Sequence, residues 1–261
     1  MSPAGVWTRI GTRRRGSSGC STGADLRLLA GTSGYGFRDW IGTFYPKGTK
    51  PRDFLARYAE VFPTVEVNYT FRRFPTPTAV SGWAAAVPED FVFAVKANMR
   101  ITHRARLRDV GELVADFVNA LLPLGNRLGP VLFQCPPWFR RDDDRLEGFL
   151  GDLPEGRSFA LEFRHSSWDC DPVRDACRAA GVALVAGIHA LDDPPQIPVT
   201  SDFAYVRLRR DPPYTEAESG VLAAALRELG DRVGTIYLYV KHDGPGLAPA
   251  AVEEIRAAAG D

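Results

Sequence analysis

Residues 160–168 read Ala-Leu-Glu-Phe-Arg-His-Ser-Ser-Trp, and this stretch places a glutamate in the middle of an apolar strand. Successive side chains of a β-strand face opposite sides, so Leu161 and Phe163 can pack on a helical layer. Glu162 and Arg164 then face the interior of the sheet. Burying an ionised carboxylate without a partner costs several kcal/mol, which rivals the stability of a whole domain. The stretch therefore predicts a strand that encloses a charged interior.

The rest of the chain repeats a short apolar strand, a loop and a helical segment. Eight strands alternating with helices over about 235 residues are typical of a single (β/α)8 TIM-type barrel, an α/β fold. A doubly wound open sheet is the main alternative. The predicted strands are 26–32, 64–68, 91–98, 131–135, 159–164, 183–189, 203–208 and 235–241. The predicted helices are 51–62, 76–86, 109–125, 142–151, 171–180, 216–230 and 248–259.

The stretch 190–199 is rich in proline, so the sixth connection is expected to lack a full helix. Residues 1–25 contain four arginines, several serines and glycines, and no acid before Asp25. Such a composition resists burial, and no apolar segment of a signal peptide is present. We therefore predict a disordered basic leader over 1–25 and one barrel domain over 26–261.

The overall composition excludes several classes of protein. A hydrophobic content of 45% and a charged content of 25% are those of a soluble globular chain. No apolar run approaches the roughly 20 residues of a membrane-spanning helix, so no membrane partner is expected. Four cysteines without a CxxC pair indicate reduced thiols and a cytoplasmic protein. The 32 basic and 32 acidic side chains balance, which disfavours a protein that coats duplex DNA with its whole surface but leaves a local groove open.

Alternation along the strands predicts which polar side chains point into the barrel. The active sites of such barrels lie at the C-terminal ends of the strands, where these side chains cluster. Two acids and four bases leave a surplus of positive charge, which favours an anionic ligand over a set of ion pairs that only fills the barrel. The predicted interior set is Glu66, Asn68, Lys96, Asn98, Gln134, Glu162, Arg164, Arg207 and Lys241.

Phosphate is the first anion to consider, because barrels often bind it in the loops after strands seven and eight. Arg207, Arg209, Arg210 and Lys241 lie there together with the glycines Gly244 and Gly246. Arginine matches the geometry of phosphate oxygens, and glycine lets backbone N–H groups approach. Arg209 and Arg210 could equally be solvated loop charges. We predict a small, phosphate-bearing ligand on this side of the barrel.

Several residues are candidates for chemistry. Glu162 and Glu66 could divide acid and base roles, as in a hydrolase, lyase or isomerase. Lys96 could form a Schiff base or pair with one of these acids, and Arg164 and Arg207 are further candidate partners of Glu162. His165 is a further catalytic candidate. The candidates for substrate binding are Asn68, Asn98, His103, Gln134, Arg164, Trp168, Arg207 and Lys241.

A metal site is the alternative that the four histidines suggest. Each follows a predicted strand, and Glu66, Glu162 and Asp243 could complete a His and carboxylate set. No HxH or HExxH spacing occurs, however, and Lys96 or Arg164 would repel a divalent ion. We therefore predict neither a metal nor another cofactor.

Aromatic residues crowd the same end of the predicted strands. Most are explained by packing under long loops, but one or two exposed rings beside basic groups would suit a nucleobase or sugar. A nucleic-acid-binding or repair protein is therefore an alternative function, and a non-catalytic binding barrel is another. The residues in question are Tyr35, Phe37, Trp40, Tyr69, Phe71, Trp138 and Trp168.

Ordered motifs along the chain resemble the YecE-like family, domain of unknown function seventy-two. They are Gly-Thr-Ser-Gly-Tyr at 31–35, Val-Glu-Val-Asn at 65–68, Phe-Ala-Val-Lys-Ala at 93–97, Ile-Thr-His at 101–103, Leu-Gly-Pro at 128–130, Leu-Glu-Phe-Arg-His at 161–165 and Tyr-Val-Arg-Leu at 205–208. The resemblance implies a TIM-type barrel but no established reaction. Tyr69, Lys241 and Arg209 depart from the family's usual residues, and Lys241 and Arg209 make the side of strands seven and eight more basic.

Overall fold

The computed structural model describes residues 27–242 and 246–260, so the predicted leader lies outside the described residues. Eight strands form one sheet in the order β1-β8-β7-β6-β5-β4-β3-β2, and all neighbours pair in parallel. The predicted (β/α)8 barrel is confirmed. The strands are β1 Arg27–Thr32, β2 Thr64–Val67, β3 Val92–Lys96, β4 Leu128–Gln134, β5 Phe159–Glu162, β6 Ala183–Ile188, β7 Phe203–Leu208 and β8 Thr235–Val240.

Seven α-helices cover the described part of the barrel, and none lies between β6 and β7, as the prolines there predicted. Local signals explain several helix starts: the Thr76 side chain caps α2, Asp142 caps α4, and Thr215 and Glu218 cap each other at α6. No helix among the described residues combines the length and apolar character needed to cross a membrane. The helices are α1 Phe54–Ala59, α2 Pro77–Ala85, α3 Gly111–Leu121, α4 Asp143–Gly151, α5 Asp171–Ala179, α6 Glu216–Gly230 and α7 Ala248–Ala259.

Strand alternation separates two apolar layers. Phe93 and Val95 pack in the large outer layer with the helices. Ala94 belongs instead to a small cluster inside the barrel. Two tyrosines of that cluster, Tyr205 and Tyr239, fill the barrel below its C-terminal end. The charged residues predicted to face inward therefore lie above an apolar floor. The complete inner cluster is Ala94, Leu132, Ala160, Ala183, Phe203, Tyr205 and Tyr239.

The seam between β1 and β2 is held by a side chain. The hydroxyl of Tyr58 accepts a hydrogen bond from the Thr32 N–H at 2.8 Å and donates one to the Thr64 carbonyl at 3.1 Å. Gly31 makes this arrangement possible, because a Cβ at that position would lie 2.2 Å from the Thr64 carbonyl oxygen. The hydroxyl thus takes the place of a backbone ladder between the two strands.

Candidate active site at the C-terminal mouth of the barrel

A buried arginine joins two buried glutamates at the mouth, the C-terminal end of the barrel interior. Arg207 on β7 places Nη2 2.7 Å from Glu66 Oε1 on β2 and Nη1 2.5 Å from Glu162 Oε2 on β5. The three side chains are at most 5% exposed. Charge-assisted hydrogen bonds to one shared guanidinium offset the cost of burying both acids.

Glu66 has further donors that keep it ionised. The Tyr205 hydroxyl donates to Oε2 at 2.8 Å, and Asn68 Nδ2 donates to Oε1 at 3.1 Å. Burial by itself would raise the pKa of Glu66, but Arg207, the Tyr205 hydroxyl and Lys96 together hold that pKa below its ordinary value. Glu66 is therefore a carboxylate at neutral pH.

Glu162 is surrounded by three arginines. Arg207 and Arg209 both pair with it, and Arg164 Nε lies 3.3 Å from Oε1. Burial raises the pKa of Glu162, but the three guanidiniums outweigh burial and lower the pKa to about 2. The interpretation of Arg209 as a solvated loop charge was wrong. Its N–H bonds to the Ile188 carbonyl at 2.7 Å, so the ladder continues past β7 and keeps the inward alternation.

Lys96, at the end of β3, is a partly buried amine that forms no ion pair within the described part of the chain. Its Nζ donates to Gln134 Oε1 at 2.8 Å and lies 4.3 Å from the centroid of the Phe71 ring. The predicted ion pair with Glu66 or Glu162 is therefore not formed. Burial, followed by the charge of Arg207, outweighs the two carboxylates and lowers the pKa of Lys96 to about 8.

Lys96 lines a pocket of about 450 Å³ at the mouth. This pocket lies on the side of β2 and β3, whereas the phosphate prediction had favoured the loops after strands seven and eight. Two exposed arginines and two aromatic rings contribute to its wall. The lining residues are Asn68, Tyr69, Phe71, Arg72, Arg73 and Lys96.

Two other predicted residues lie close to this pocket in different ways. His103 packs edge-on against Phe71, with ring centroids 4.9 Å apart, and burial together with the charges of Lys96 and Arg164 lowers its pKa. Asn98 is structural, because it donates to the Thr70 carbonyl and accepts from a backbone N–H two residues further along the chain.

Two predicted residues after β5 shape a turn and do not meet the pocket. The Nδ1 of His165 accepts from the Ser167 N–H at 3.1 Å and so caps the turn Ser166–Trp168. Trp168 is buried, stacks on Phe163 with centroids 4.0 Å apart, and donates to the Phe139 carbonyl. Only 3% of Trp168 is exposed, and this part lines a separate pocket of about 640 Å³ that His165 also lines.

The prediction that Lys241 lines the interior was wrong. Its side chain is about half exposed because the amine pairs with Asp211 at 2.7 Å, although the Lys241 N–H still bonds to the Leu208 carbonyl at 3.1 Å. Gly246 serves packing: a Cβ there would lie 2.9 Å from the indole of Trp40. Gly244, the other glycine of the predicted phosphate loop, lies outside the described residues.

Across residues 27–242 and 246–260, no three His, Cys, Asp or Glu side chains come together in a group that could hold a metal ion. Of the three carboxylates that could have served as ligands, Glu66 and Glu162 accept hydrogen bonds from arginines instead, and Asp243 lies outside the described residues. His189, at the surface beyond β6, lies outside the charged cluster.

A family model described as "Protein of unknown function DUF72" matches residues 29–261. The chain belongs to the DUF72 family. The resemblance to YecE-like proteins is thus confirmed. UPF0759 protein YunF of Bacillus subtilis is 32% identical over 186 residues, 65% of this chain and 62% of YunF. UPF0759 protein YecE of Escherichia coli K12 is 36% identical over 112 residues, 42% of this chain and 41% of YecE. The matches span less than two thirds of these curated relatives.

Solved structures of DUF72 proteins have the same fold. One from Thermotoga maritima is 28% identical with a TM-score of 0.79, covering 90% of this chain and 100% of that chain. Another, from Enterococcus faecalis, is 18% identical with a TM-score of 0.72, covering 90% of this chain and 96% of that chain, and supports the fold alone. These similarities show the family and the fold, so a function for this DUF72 protein has to be inferred from its own side chains.

Proposed function

We propose that this DUF72 protein is an enzyme that acts on a small phosphate-bearing substrate in the pocket beside Lys96. The observation that carries the proposal is the amine itself, which is partly buried at the C-terminal mouth and has a pKa lowered to about 8 without a carboxylate partner. Amines in this state are used as proton carriers or as nucleophiles toward carbonyl groups.

The charge of the mouth supports an anionic substrate. Four cations surround two carboxylates, which leaves a surplus of two positive charges in a poorly solvated space. Arg207 and Arg209 are occupied by the acids, so the substrate's phosphate would meet Arg72 and Arg73 at the pocket wall, where both are exposed. The four cations are Lys96, Arg164, Arg207 and Arg209, and the two carboxylates are Glu66 and Glu162.

The two glutamates have a different role in this proposal from the acid and base pair expected from the sequence. Both pKa values are lowered, so neither group carries a proton to donate near pH 7. They fix Arg207, and their charge limits how far the pKa of Lys96 falls. Lys96 is then the acid–base group, with Gln134 holding its Nζ in place.

Binding of a panel of sugar phosphates and nucleoside monophosphates, followed by thermal shift and calorimetry, tests the proposal. We expect at least one ligand to bind, with a tenfold or greater loss of affinity when Arg72 and Arg73 are both changed to Gln. Lys96→Met should abolish turnover of that ligand. Lys241→Met is the matched control, because Lys241 is an exposed lysine outside the pocket. The proposal would be ruled out if no phosphate-bearing ligand bound, or if Lys96→Met and Lys241→Met affected turnover equally.

A further inference from the structure

The loops after β2, β3 and β4 carry a band of exposed arginines that have no acidic partner. None of the seven lies within 4.0 Å of a carboxylate in the described part of the chain. Residues 68–76 contain no acid, 97–110 contain only Asp109, and 135–142 contain only Asp142, which caps α4 and pairs with Arg145. We call this band the arginine rim; it comprises Arg72, Arg73, Arg100, Arg104, Arg106, Arg108 and Arg140.

Arginines on the helices are neutralised in a different way. Arg57 pairs with Glu60 three residues along, and Arg174 and Arg178 on α5 each pair with an aspartate of the same helix. The whole chain has no net charge. The arginine rim is therefore a local concentration of positive potential, which a neutral protein maintains on one side of the mouth.

Two exposed aromatic rings lie in the same loops. Tyr69 is 55% exposed and Trp138 is 57% exposed, and no other aromatic side chain of the described residues is as exposed. The Arg73 guanidinium lies 5.8 Å from the Tyr69 ring centroid, and that of Arg106 lies 5.8 Å from the Trp138 centroid. Flat rings kept at the surface beside cations are the means by which proteins stack unpaired bases.

We propose that the arginine rim, with Tyr69 and Trp138, binds single-stranded nucleic acid. The guanidiniums contact successive phosphates, and the two rings stack on bases. Tyr69 follows β2 and Trp138 follows β4, so two strand spacings of about 4.8 Å separate the strand ends, roughly 10 Å in all. That distance corresponds to about three nucleotides at the 3.4 Å spacing of a stacked strand. This surface shares Tyr69, Arg72 and Arg73 with the pocket of Lys96, continues over the loops after β3 and β4, and does not depend on the chemistry proposed at Lys96.

A single strand fits this surface better than a duplex does. In a duplex the bases are paired and stacked on each other, so exposed rings gain nothing from them. The rim is made of loops around a concave mouth and offers no long helix or ribbon for a major groove. An acidic peptide would satisfy the arginines but would leave both rings without a partner.

Fluorescence anisotropy with labelled twelve-nucleotide oligothymidine and oligouridine, over a range of salt concentrations, tests the proposal on the full chain. We expect the logarithm of the binding constant to fall linearly with the logarithm of salt, with a slope of about −2 to −4 for three to five phosphate contacts. Changing Arg104, Arg106 and Arg108 to Gln should reduce the slope. Trp138→Ala should weaken binding about 5-fold or more with little change of slope, and Trp138→Phe should retain most of the affinity.

The control variant changes Arg174 and Arg178 to Gln, because these arginines are exposed but paired on α5. Its affinity should stay within about twofold of the unchanged protein. Duplex DNA and poly-glutamate should compete poorly. The proposal would be overturned if the oligonucleotides did not bind at low salt, or if the control variant lost as much affinity as the rim variant. It would also be overturned if poly-glutamate competed as well as the oligonucleotides while Trp138→Ala had no effect. A phosphate monoester that binds the Lys96 pocket while the oligonucleotides fail would overturn the arginine rim alone.

Discussion

The guanidinium of Arg207 lies 2.7 Å from the carboxylate of Glu66, although the two residues are 141 positions apart and lie on strands that are not neighbours in the sheet. The same guanidinium reaches Glu162 on a third strand. One side chain therefore connects β2, β5 and β7 through the interior of the barrel, where each acid depends on it for compensation of its charge.

Removal of this guanidinium should destabilise the protein strongly. Arg207→Met leaves two buried carboxylates without their shared partner, and breaking a buried pair costs about 3 to 5 kcal/mol. Urea denaturation at pH 7 measures the loss. Arg57→Met, which breaks an exposed pair with Glu60, should cost no more than about 1 kcal/mol. A similar small loss for both variants would contradict the assignment of Arg207.

Stability should fall in acid because of the same cluster. The pKa of Glu162 is about 2 in the folded protein against 4.5 as the ordinary value, so its contribution is fully present above pH 4.5. The contribution disappears as the pH falls from 4.5 toward 2, with a loss on the order of 3 kcal/mol. The lowered pKa of Glu66 also makes the protein less stable as the pH falls. Urea denaturation between pH 7 and pH 2 should show a flatter profile for Glu162→Gln. An unchanged profile would contradict the prediction.

The pKa of Lys96 should lie at about 8, well below the 10.5 of an ordinary lysine. Burial and neighbouring arginines lower its pKa from 10.5 to about 8, so the unfolded chain binds more protons than the folded protein between these values. Stability relative to Lys96→Met should therefore rise as the pH increases from 8 to 10.5. Competitive amine labelling read by mass spectrometry gives the pKa directly, with Lys241→Met as a control for assignment. If Lys96 becomes labelled only above pH 10, the prediction of a lowered pKa is wrong.

The side-chain seam between β1 and β2 should be intolerant of small changes. Tyr58→Phe leaves the Thr32 N–H and the Thr64 carbonyl without their partner, at a cost of about 1 to 3 kcal/mol. Gly31→Ala forces a methyl group against the Thr64 carbonyl and should cost a comparable amount or more. Thermal denaturation measures both, and Tyr69→Phe on an exposed ring should stay within about 0.5 kcal/mol. A neutral Tyr58→Phe would show that the ring packing alone holds the seam.

Strand alternation was sufficient to predict the inward direction of Glu66, Glu162 and Arg207, because a period of two fixes the face of each residue inside a strand. The same rule failed one residue past β8, where the Lys241 N–H keeps its bond to the Leu208 carbonyl but the side chain pairs with Asp211 at the surface. It would have found Arg209, since the ladder after β7 continues by one residue. Sequence alone does not show which acid a side chain just past the end of a strand will meet, and it is this partner that separates Arg209 from Lys241.

The hydrogen bonds that Tyr205 and Gln134 make inside the barrel were harder to predict. The hydrogen bond from Tyr205 to Glu66 was not predicted, because a tyrosine on a barrel strand can pack as an apolar side chain. Its role as a donor depends on where the hydroxyl lies in the structure. The amide of Gln134, which holds Lys96 in place of a carboxylate, depends on which of several polar groups across the barrel lies nearest. Such choices follow from distances between strands that are far apart in the chain.

The position of the seam has a consequence for synthesis of the chain. β1 forms its backbone ladder with β8, pairing Arg27 with Thr235, and meets β2 through the Tyr58 hydroxyl. On the ribosome β1 therefore emerges first but has no ladder partner until β8 follows, at rates of about 5 to 20 residues per second. Leu28 and Leu29, which are buried in the folded protein, therefore lie in a strand without its ladder for on the order of ten seconds or more. Of the eight strands, β1 is thus the one that a chaperone holding the nascent chain would protect for the longest time.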